Sequence, residues 1–237
     1  MTLRNSISPD DIVKLFNGIE FLYPDLTEVS QIKRTIEKFP NSLDALIDAF
    51  SIGQLKSKKW LVSELESLDV DLGTIFICAG WYGTLASLLF KSLVKFEKIR
   101  SFDIDPSCAA IADNINRPNV MDGWKFKAST LDITKMQFPT VHTTFRADGS
   151  SLDLTEMPNT IINTSCEHIE NFEVWYDKIP SGTILVLQSN NFHEIPEHVN
   201  CSNDIDDFDK KLPMTKTLYL GDMYLTKYTR FMKIGIK

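Results

Sequence analysis

A short apolar run that leads through a glycine-containing turn into a helical pattern restricts this fold more than any other feature. Residues 74–78 read TIFIC, which is typical of a strand buried on both faces of a sheet. The turn AGWYG follows at 79–83, and residues 84–96 then show helical periodicity. This order predicts one unit of a parallel α/β sheet.

The same alternation continues along the chain. Further strands are predicted at 99–104, 124–128, 160–164 and 183–188, with a helix at 106–115. A hairpin is predicted over 141–154, turning at Asp148-Gly149. The end of the chain predicts an antiparallel hairpin of 217–220 and 228–236, joined through Gly221-Asp222. We therefore expect an α/β fold with a Rossmann-like, seven-stranded, mostly parallel sheet whose last strand is antiparallel.

The first 70 residues show helical spacing only. Ser8-Pro9-Asp10-Asp11 combines a capping serine, a proline at the first helical position and acids in the first turn. Three more helical patterns follow, near 27–39, 43–50 and 60–65. We expect residues 1–70 to form a helical cap and 71–237 to form the α/β domain. The cap is either a lid over a substrate or an extension that only covers the sheet.

Composition excludes several classes of protein. Of the 237 residues, 43% are hydrophobic and 24% charged, which fits a packed core and argues against disorder. The net charge of -7 argues against a dedicated nucleic-acid binder. The longest apolar runs, 85–90 and 183–188, are too short to cross a membrane, and the N-terminus lacks the apolar core of a signal peptide. Since Cys78, Cys108, Cys166 and Cys201 lie far apart, we expect reduced thiols in a cytoplasmic protein.

An acidic residue follows the glycine turn, at the end of the next predicted strand. Asp103 lies twenty residues past Gly83, at the end of the second predicted strand, where a carboxylate can accept both hydroxyl hydrogen bonds of a ribose. The turn has GxxG instead of GxGxxG, and its bulky Trp81 and Tyr82 disfavour a pyrophosphate. The pattern favours a nucleoside cofactor without phosphate, such as S-adenosylmethionine. The alternative is an ordinary turn with Asp103 as a helix cap.

The fourth predicted strand carries the densest chemistry. Residues 161–169 read IINTSCEHI and bring Asn163, Ser165, Glu167 and His168 to the carboxyl end of the sheet. An unperturbed histidine has a pKa of about 6.5, which suits a general base, so His168 is the candidate base; Glu167 can orient it or bind a cation. The alternative is that Glu167 caps a helix and His168 packs beneath it.

Polar side chains also follow the fifth strand. We predict that the substrate is bound by Ser165 of the fourth-strand segment, by Gln188, Asn190 and Asn191 at the end of the fifth strand, and by Arg230 of the last strand. A loop of turn formers and a solvated Arg230 are the alternatives. The segment 193–201 holds two histidines, but Pro196 prevents regular helical pairing, so no metal site is predicted.

Over roughly residues 56–237, these motifs resemble the class I S-adenosylmethionine-dependent methyltransferases. FICAGWYGTLASLLF (76–90) takes the place of the first cofactor motif, although it departs from GxGxG, and SFDIDP (101–106) matches the second. The resemblance implies that Asp103 binds the ribose, Ile104 flanks the adenine and Asp132 lies near its amino group. The other implied cofactor contacts are Lys58 at the methionine carboxylate, the turn residues Ala79, Gly80, Trp81, Tyr82 and Gly83, and Asn163.

The resemblance further implies methyl transfer to a small molecule or a peptide side chain, with S-adenosylhomocysteine as the product. The NPPY or DPPY motif of base methyltransferases is missing, so a nucleic-acid acceptor is not expected. Three alternatives remain: another use of the cofactor (aminopropyl or aminocarboxypropyl transfer, or cleavage), a nicotinamide-dependent oxidoreductase, and a non-catalytic binding module. No membrane partner is expected, and the sequence specifies neither the acceptor nor the oligomeric state.

Overall fold

A computed structural model describes residues 8–23, 27–146 and 148–237. Residues 1–7 and 24–26 of the expected cap lie outside the described residues, and so does most of the N-terminal segment on which the signal-peptide prediction rests. The helices of this part are α1 (Pro9–Leu22), α2 (Thr27–Lys38), α3 (Leu43–Ala49), α4 (Ile52–Leu68), α5 (Thr84–Leu89), α6 (Cys108–Ile115), α7 (Arg117–Met121), α8 (Phe172–Lys178) and α9 (Ile205–Lys211). The strands are β1 (Thr74–Cys78), β2 (Lys98–Asp103), β3 (Phe126–Thr130), β4 (Thr140–Phe145), β5 (Ser151–Glu156), β6 (Thr160–Asn163), β7 (Ile184–Asn190), β8 (Lys216–Leu225) and β9 (Tyr228–Ile236).

The main sheet confirms the predicted architecture. Its seven strands lie in the order β3-β2-β1-β6-β7-β9-β8. The pairs among β3, β2, β1, β6 and β7 are parallel, whereas β9 is antiparallel to both β7 and β8. Strands β4 and β5 form the separate predicted hairpin.

Strand β1 lies at the centre of the core because both of its faces are apolar. All five of its residues are buried. Ile75 and Ile77 pack on one side in a cluster with Leu61 and Leu65 of α4, and Phe76 packs on the other in a cluster with Trp175 of α8. The short apolar run thus anchors helices on both faces of the sheet.

Several sequence-based boundaries are wrong; the third strand, for example, spans Phe126–Thr130 instead of 124–128. Gly221 and Asp222 lie inside β8, paired with Met232 and Phe231, and the hairpin turns at 226–227 instead. Ladder pairing along β9 overrides the turn preference of a Gly-Asp dipeptide. The helix expected over 84–96 ends at Leu89, whose carbonyl accepts a hydrogen bond from the Ser92 hydroxyl at 2.7 Å.

The N-terminal helices pack on α6. Ile36 of α2 and Leu46 of α3 share a buried cluster with Ile111 of α6, and Asn114 donates to the Thr35 hydroxyl at 2.7 Å. Helix α4 belongs instead with the sheet core. Within the described ranges, no helix has both the length and the apolar character needed to cross a bilayer.

Candidate cofactor and acceptor site

A cleft opens at the carboxyl ends of the parallel strands. It has two adjoining parts, of about 310 Å³ and about 330 Å³, which share Ala79, Asp103 and His168. Each volume is in the usual range for a small-molecule site, roughly 300–1,000 Å³. The Lys58 side is lined by Asp48, Gln54, Lys58, Ile77, Ala79, Gly80, Trp81, Thr84, Leu85, Asp103, Thr164, Ser165 and His168. The Ile104 side is lined by Ala79, Asp103, Ile104, Leu131, Asp132, Ile133, Thr134, His168, Ile169, Glu170 and Asn171.

The turn after β1 has an unusual backbone. Ala79 and Trp81 have φ angles of 55° and 47°, in the left-handed region that non-glycine residues rarely adopt. Gly83, with φ 72°, lies so close to α6 that an added Cβ would come within 2.7 Å of the Asn116 side-chain nitrogen. The close approach at Gly83 is therefore one of helix to helix. Residues held in such conformations often mark functional sites.

The two aromatic residues of the turn face the helical cap. Their rings stack with centroids 5.1 Å apart. Tyr82 is buried in the cluster that contains Ile36 and Leu46, whereas Trp81 packs against that cluster and also lines the cleft. Tyr82 thus connects the turn to α2 and α3.

Asp103 is fixed at the end of β2, between the two parts of the cleft. Its Oδ2 accepts a hydrogen bond from the backbone amide of Trp81 at 2.8 Å, and its Oδ1 accepts one from the amide of Asp105 at 3.1 Å. Each oxygen keeps a further lone pair. The carboxylate is therefore oriented by the backbone and still able to accept bonds from a ligand.

The Ile104 side combines apolar walls with one acid. Ile104 is largely exposed there, and Leu131 and Ile133 line the same space. Asp132 accepts hydrogen bonds from the amide and hydroxyl of Thr134, at 3.0 and 2.7 Å, which lower the pKa of its carboxyl. An ionised acceptor thus lies beside apolar side chains.

Lys58 is the buried cation of the other side. Its Nζ donates to Oε1 of Gln54 at 2.6 Å, one helical turn earlier in α4. Burial and the nearby charge of Arg230 lower its pKa to about 8, although Asp48 and Glu167 oppose this. A carboxylate ligand in this position would stabilise the charged form of Lys58.

A buried polar cluster lies behind the cleft. Glu167 Oε1 accepts hydrogen bonds from Asn190 Nδ2 at 2.7 Å and from Arg230 Nη1 at 2.9 Å, and Arg230 also donates to the carbonyl of Thr164. Asn163 is buried, with Oδ1 accepting from the Ser165 amide at 2.8 Å. Among the residues described, Asn163 Nδ2, Glu167 Oε2 and Arg230 Nε are buried without a partner.

His168 and Ser165 reach the cleft itself. The Nδ1 of His168 lies 3.1 Å from the carbonyl oxygen of Glu197. Because a carbonyl only accepts, Nδ1 carries the proton in this tautomer and Nε2 is the basic atom. Ser165 lines the Lys58 side beside it.

The remaining predicted substrate residues make contacts within the protein. Gln188 accepts from the Ser57 hydroxyl at 2.8 Å and so joins β7 to α4. Asn191 accepts from the amide of Thr229 at 2.9 Å. Together with Asn190 and Arg230, these side chains lie outside the lining found for the described cleft.

Sequence reasoning missed Asp48 and Gln54, which the N-terminal helices contribute to the Lys58 side. The spacing of Gln54 and Lys58 on one helix could have suggested their pairing. No local pattern could have placed Asp48, because its position depends on how α3 packs.

No protein-family model and no curated protein matches this sequence. Solved structures do match. The N-methyltransferase NodS from Bradyrhizobium japonicum WM9, in complex with S-adenosyl-L-homocysteine, aligns with a TM-score of 0.55 at 10% identity, over 85% of this chain and 98% of that one.

Two further solved structures also match this chain, one named as an RNA methyltransferase and the other as a cyclase. The small RNA methyltransferase HEN1 aligns with a TM-score of 0.54 at 13% identity, over 80% of this chain and 26% of that chain. The [4+2]-cyclase SpnF aligns with a TM-score of 0.53 at 10% identity, over 80% and 84%. With the strand order of the sheet, these likenesses show that the chain has the fold of the class I S-adenosylmethionine-dependent methyltransferases.

Proposed function

We propose that this protein is an enzyme that transfers a methyl group from S-adenosylmethionine to a small molecule or a peptide side chain. The observation that carries the proposal is the position of Asp103. Its carboxylate lies between the two parts of the cleft, oriented by two backbone amides and with lone pairs to spare. That arrangement suits the two hydroxyls of a ribose.

The residues around Asp103 fit the rest of this cofactor. Ile104 and Asp132 offer an apolar wall and an acceptor for an adenine and its amino group. Lys58 offers a cation, and the turn residues Ala79, Gly80 and Trp81 offer backbone, for an amino-acid moiety. The cofactor supplies a methyl group on a sulfonium, which is open to in-line attack.

His168 is the residue that we assign to the acceptor's proton. Its Nε2 is the basic ring atom, and its side chain borders both parts of the cleft. Ser165 lies beside it and would hydrogen-bond a polar acceptor. Glu167, Asn190 and Arg230 would act from behind, by fixing the loop after β6. Gln188 and Asn191 would support the surrounding strands.

The acceptor class rests on charge and motif. The net charge of -7 and the absence of an NPPY or DPPY sequence support a small or peptidic acceptor over a nucleic acid. Since HEN1 is named as an RNA methyltransferase, RNA belongs in any acceptor screen.

Calorimetry with S-adenosylmethionine tests the cofactor assignment. Wild-type protein should bind, and Asp103→Asn should bind at least about tenfold more weakly, because a charged hydrogen-bond acceptor is lost. Asp122→Asn, at an exposed acid paired with Lys125, is the matched control and should leave the affinity unchanged. Equal affinity in Asp103→Asn would overturn the ribose assignment, and no binding by the wild type would remove the function.

Product analysis tests the reaction. S-adenosylhomocysteine supports methyl transfer, whereas methylthioadenosine would contradict it and favour another use of the cofactor. The likeness to a protein named as a [4+2]-cyclase makes this comparison necessary, because the fold alone does not establish methyl transfer.

A further inference from the structure

Two histidines and one glutamate meet at the edge of the cleft. Glu167 and His168 follow β6, and His198 lies in the loop after β7. A carboxylate oxygen and one ring nitrogen from each histidine all lie within 4.8 Å of one another. The two rings are close to perpendicular, with centroids 4.5 Å apart. The residues come from segments 30 positions apart, so only the tertiary fold brings them together.

Both histidines are held in the tautomer that leaves Nε2 available. His168 Nδ1 donates to the carbonyl of Glu197 at 3.1 Å, and His198 Nδ1 donates to the carbonyl of Phe192 at 2.6 Å. In metal sites, a ligating histidine usually donates its other ring N–H to such a carbonyl or carboxylate, which fixes the ring. Within the described part of the chain, neither Nε2 takes part in a hydrogen bond.

Glu167 offers an atom that its surroundings do not satisfy. The residue is only 2% exposed, and Oε1 is fully engaged by Asn190 and Arg230. Oε2 is buried without a partner among the described residues. A buried carboxylate oxygen left this way costs free energy unless a ligand completes it.

We propose that Glu167, His168 and His198 bind a divalent transition-metal ion. Two imidazoles and a carboxylate are the donor set that Zn²⁺ and Fe²⁺ accept with coordination positions left open. Bonds of about 2.0–2.2 Å require the three donor atoms to close to roughly 3–3.5 Å, which side-chain rotation at the partly exposed histidines allows. Arg230 neutralises Oε1, and Oε2 remains for the metal.

This site goes beyond the proposed function and changes one part of it. His168 borders both parts of the cleft, so an ion bound here would face an acceptor. A ring nitrogen that ligates a metal no longer accepts a proton. Metal binding would therefore give His168 a binding role instead of that of the base.

Titration of metal-free protein with CoCl₂ tests the site directly, through the visible absorption of bound Co²⁺. We expect one equivalent to bind to the wild type, and His198→Gln and His168→Gln to weaken binding at least about tenfold. His193→Gln, at an exposed histidine in the same loop, is the matched control and should bind like the wild type. Circular dichroism of each variant separates loss of a ligand from loss of the fold.

Two outcomes would overturn the inference: no Co²⁺ binding by folded wild-type protein, or equal binding by wild type and a folded His198→Gln. The result is independent of the cofactor. Asp103→Asn should bind Co²⁺ normally, so loss of S-adenosylmethionine binding with intact Co²⁺ binding would count against the proposed function alone.

Discussion

Arg230 Nη1 donates a hydrogen bond to Glu167 Oε1 at 2.9 Å, between residues that are 63 positions apart in the sequence. Arg230 is 7% exposed and Glu167 is 2% exposed, so both charges are removed from water. The pair joins the last strand, β9, to the loop that follows β6. Removal of either residue would leave the charge of the other buried without its ion-pair partner. The stability of this loop therefore depends on both.

Removal of one member of this pair should be strongly destabilising. We expect Arg230→Met or Glu167→Gln alone to lower the free energy of unfolding by up to about 3–5 kcal/mol, because a buried charge is left uncompensated. The double variant should lose clearly less than the sum of the two. Urea denaturation of the cycle measures this. Lys125→Met, in an exposed ion pair, should cost under about 1 kcal/mol. Additive losses would contradict a coupled pair.

The left-handed conformation at Ala79 predicts a stabilising substitution. Ala79→Gly should raise the free energy of unfolding by up to about 1 kcal/mol, because relief of backbone strain exceeds the entropy that glycine adds to the unfolded chain. Ala110→Gly, in the exposed part of α6, should lower it by about 1 kcal/mol. Thermal unfolding of both variants gives the comparison. The prediction is wrong if both substitutions have the same sign.

The burial of Lys58 predicts that its replacement raises the stability of the protein and weakens cofactor binding. Lys58→Met should raise the midpoint temperature of unfolding, because it removes a buried cation whose pKa is lowered to about 8 by burial and by Arg230. The same change should weaken S-adenosylmethionine binding about tenfold or more, through loss of a charged partner for its carboxylate. Lys56→Met, an exposed position of α4, should alter neither quantity. Unchanged affinity in Lys58→Met would contradict its assigned role.

Glu156 predicts loss of stability in acid. Burial opposes its ionisation, but His142, Arg100 and Lys98 donate to it at 2.6–3.0 Å and hold the pKa of its carboxyl well below the usual range. The stabilisation is present above the unfolded-state pKa near 4.5 and is lost as pH falls through lower values. Glu156→Gln should therefore be less stable at neutral pH, by on the order of 1–3 kcal/mol, and less dependent on pH below about 4.5.

Denaturation with urea at several acidic pH values measures this difference. Glu173→Gln, at an exposed position of α8, is the control and should follow the wild-type pH profile. Parallel pH profiles for Glu156→Gln and the wild type would show that the contacts with β2 and β4 do not lower the pKa of Glu156.

The strands of the core could be predicted because their patterns are local. TIFIC is apolar throughout, and β1 is buried at each position. The ends of helices and strands are harder to predict from the sequence. Gly221 is typical of a turn, yet pairing with β9 extends the strand through it. Likewise, the polar run at the end of the fifth predicted strand predicts contacts with a substrate, whereas Gln188 and Asn191 make hydrogen bonds with Ser57 and Thr229.

In the candidate site, too, some residues could be predicted from the sequence and others could not. Asp103 could be placed at a strand end because strand ends gather in a parallel sheet. The meeting of His198 with Glu167 could not, since spacing within 193–201 says nothing about a partner at the end of β6. Residues that a loop brings to a site need the tertiary structure.

Tyr82 has a consequence for how the protein responds to ligands. Its ring is packed into the cap, while its backbone belongs to the turn that borders the cleft. If binding in the cleft changes the packing of Tyr82 against α2 and α3, that packing must change the binding affinity by the same factor, because linkage is reciprocal. Hydrogen exchange in α2 and α3, measured with and without S-adenosylmethionine, would report how strongly the cleft and these helices are coupled.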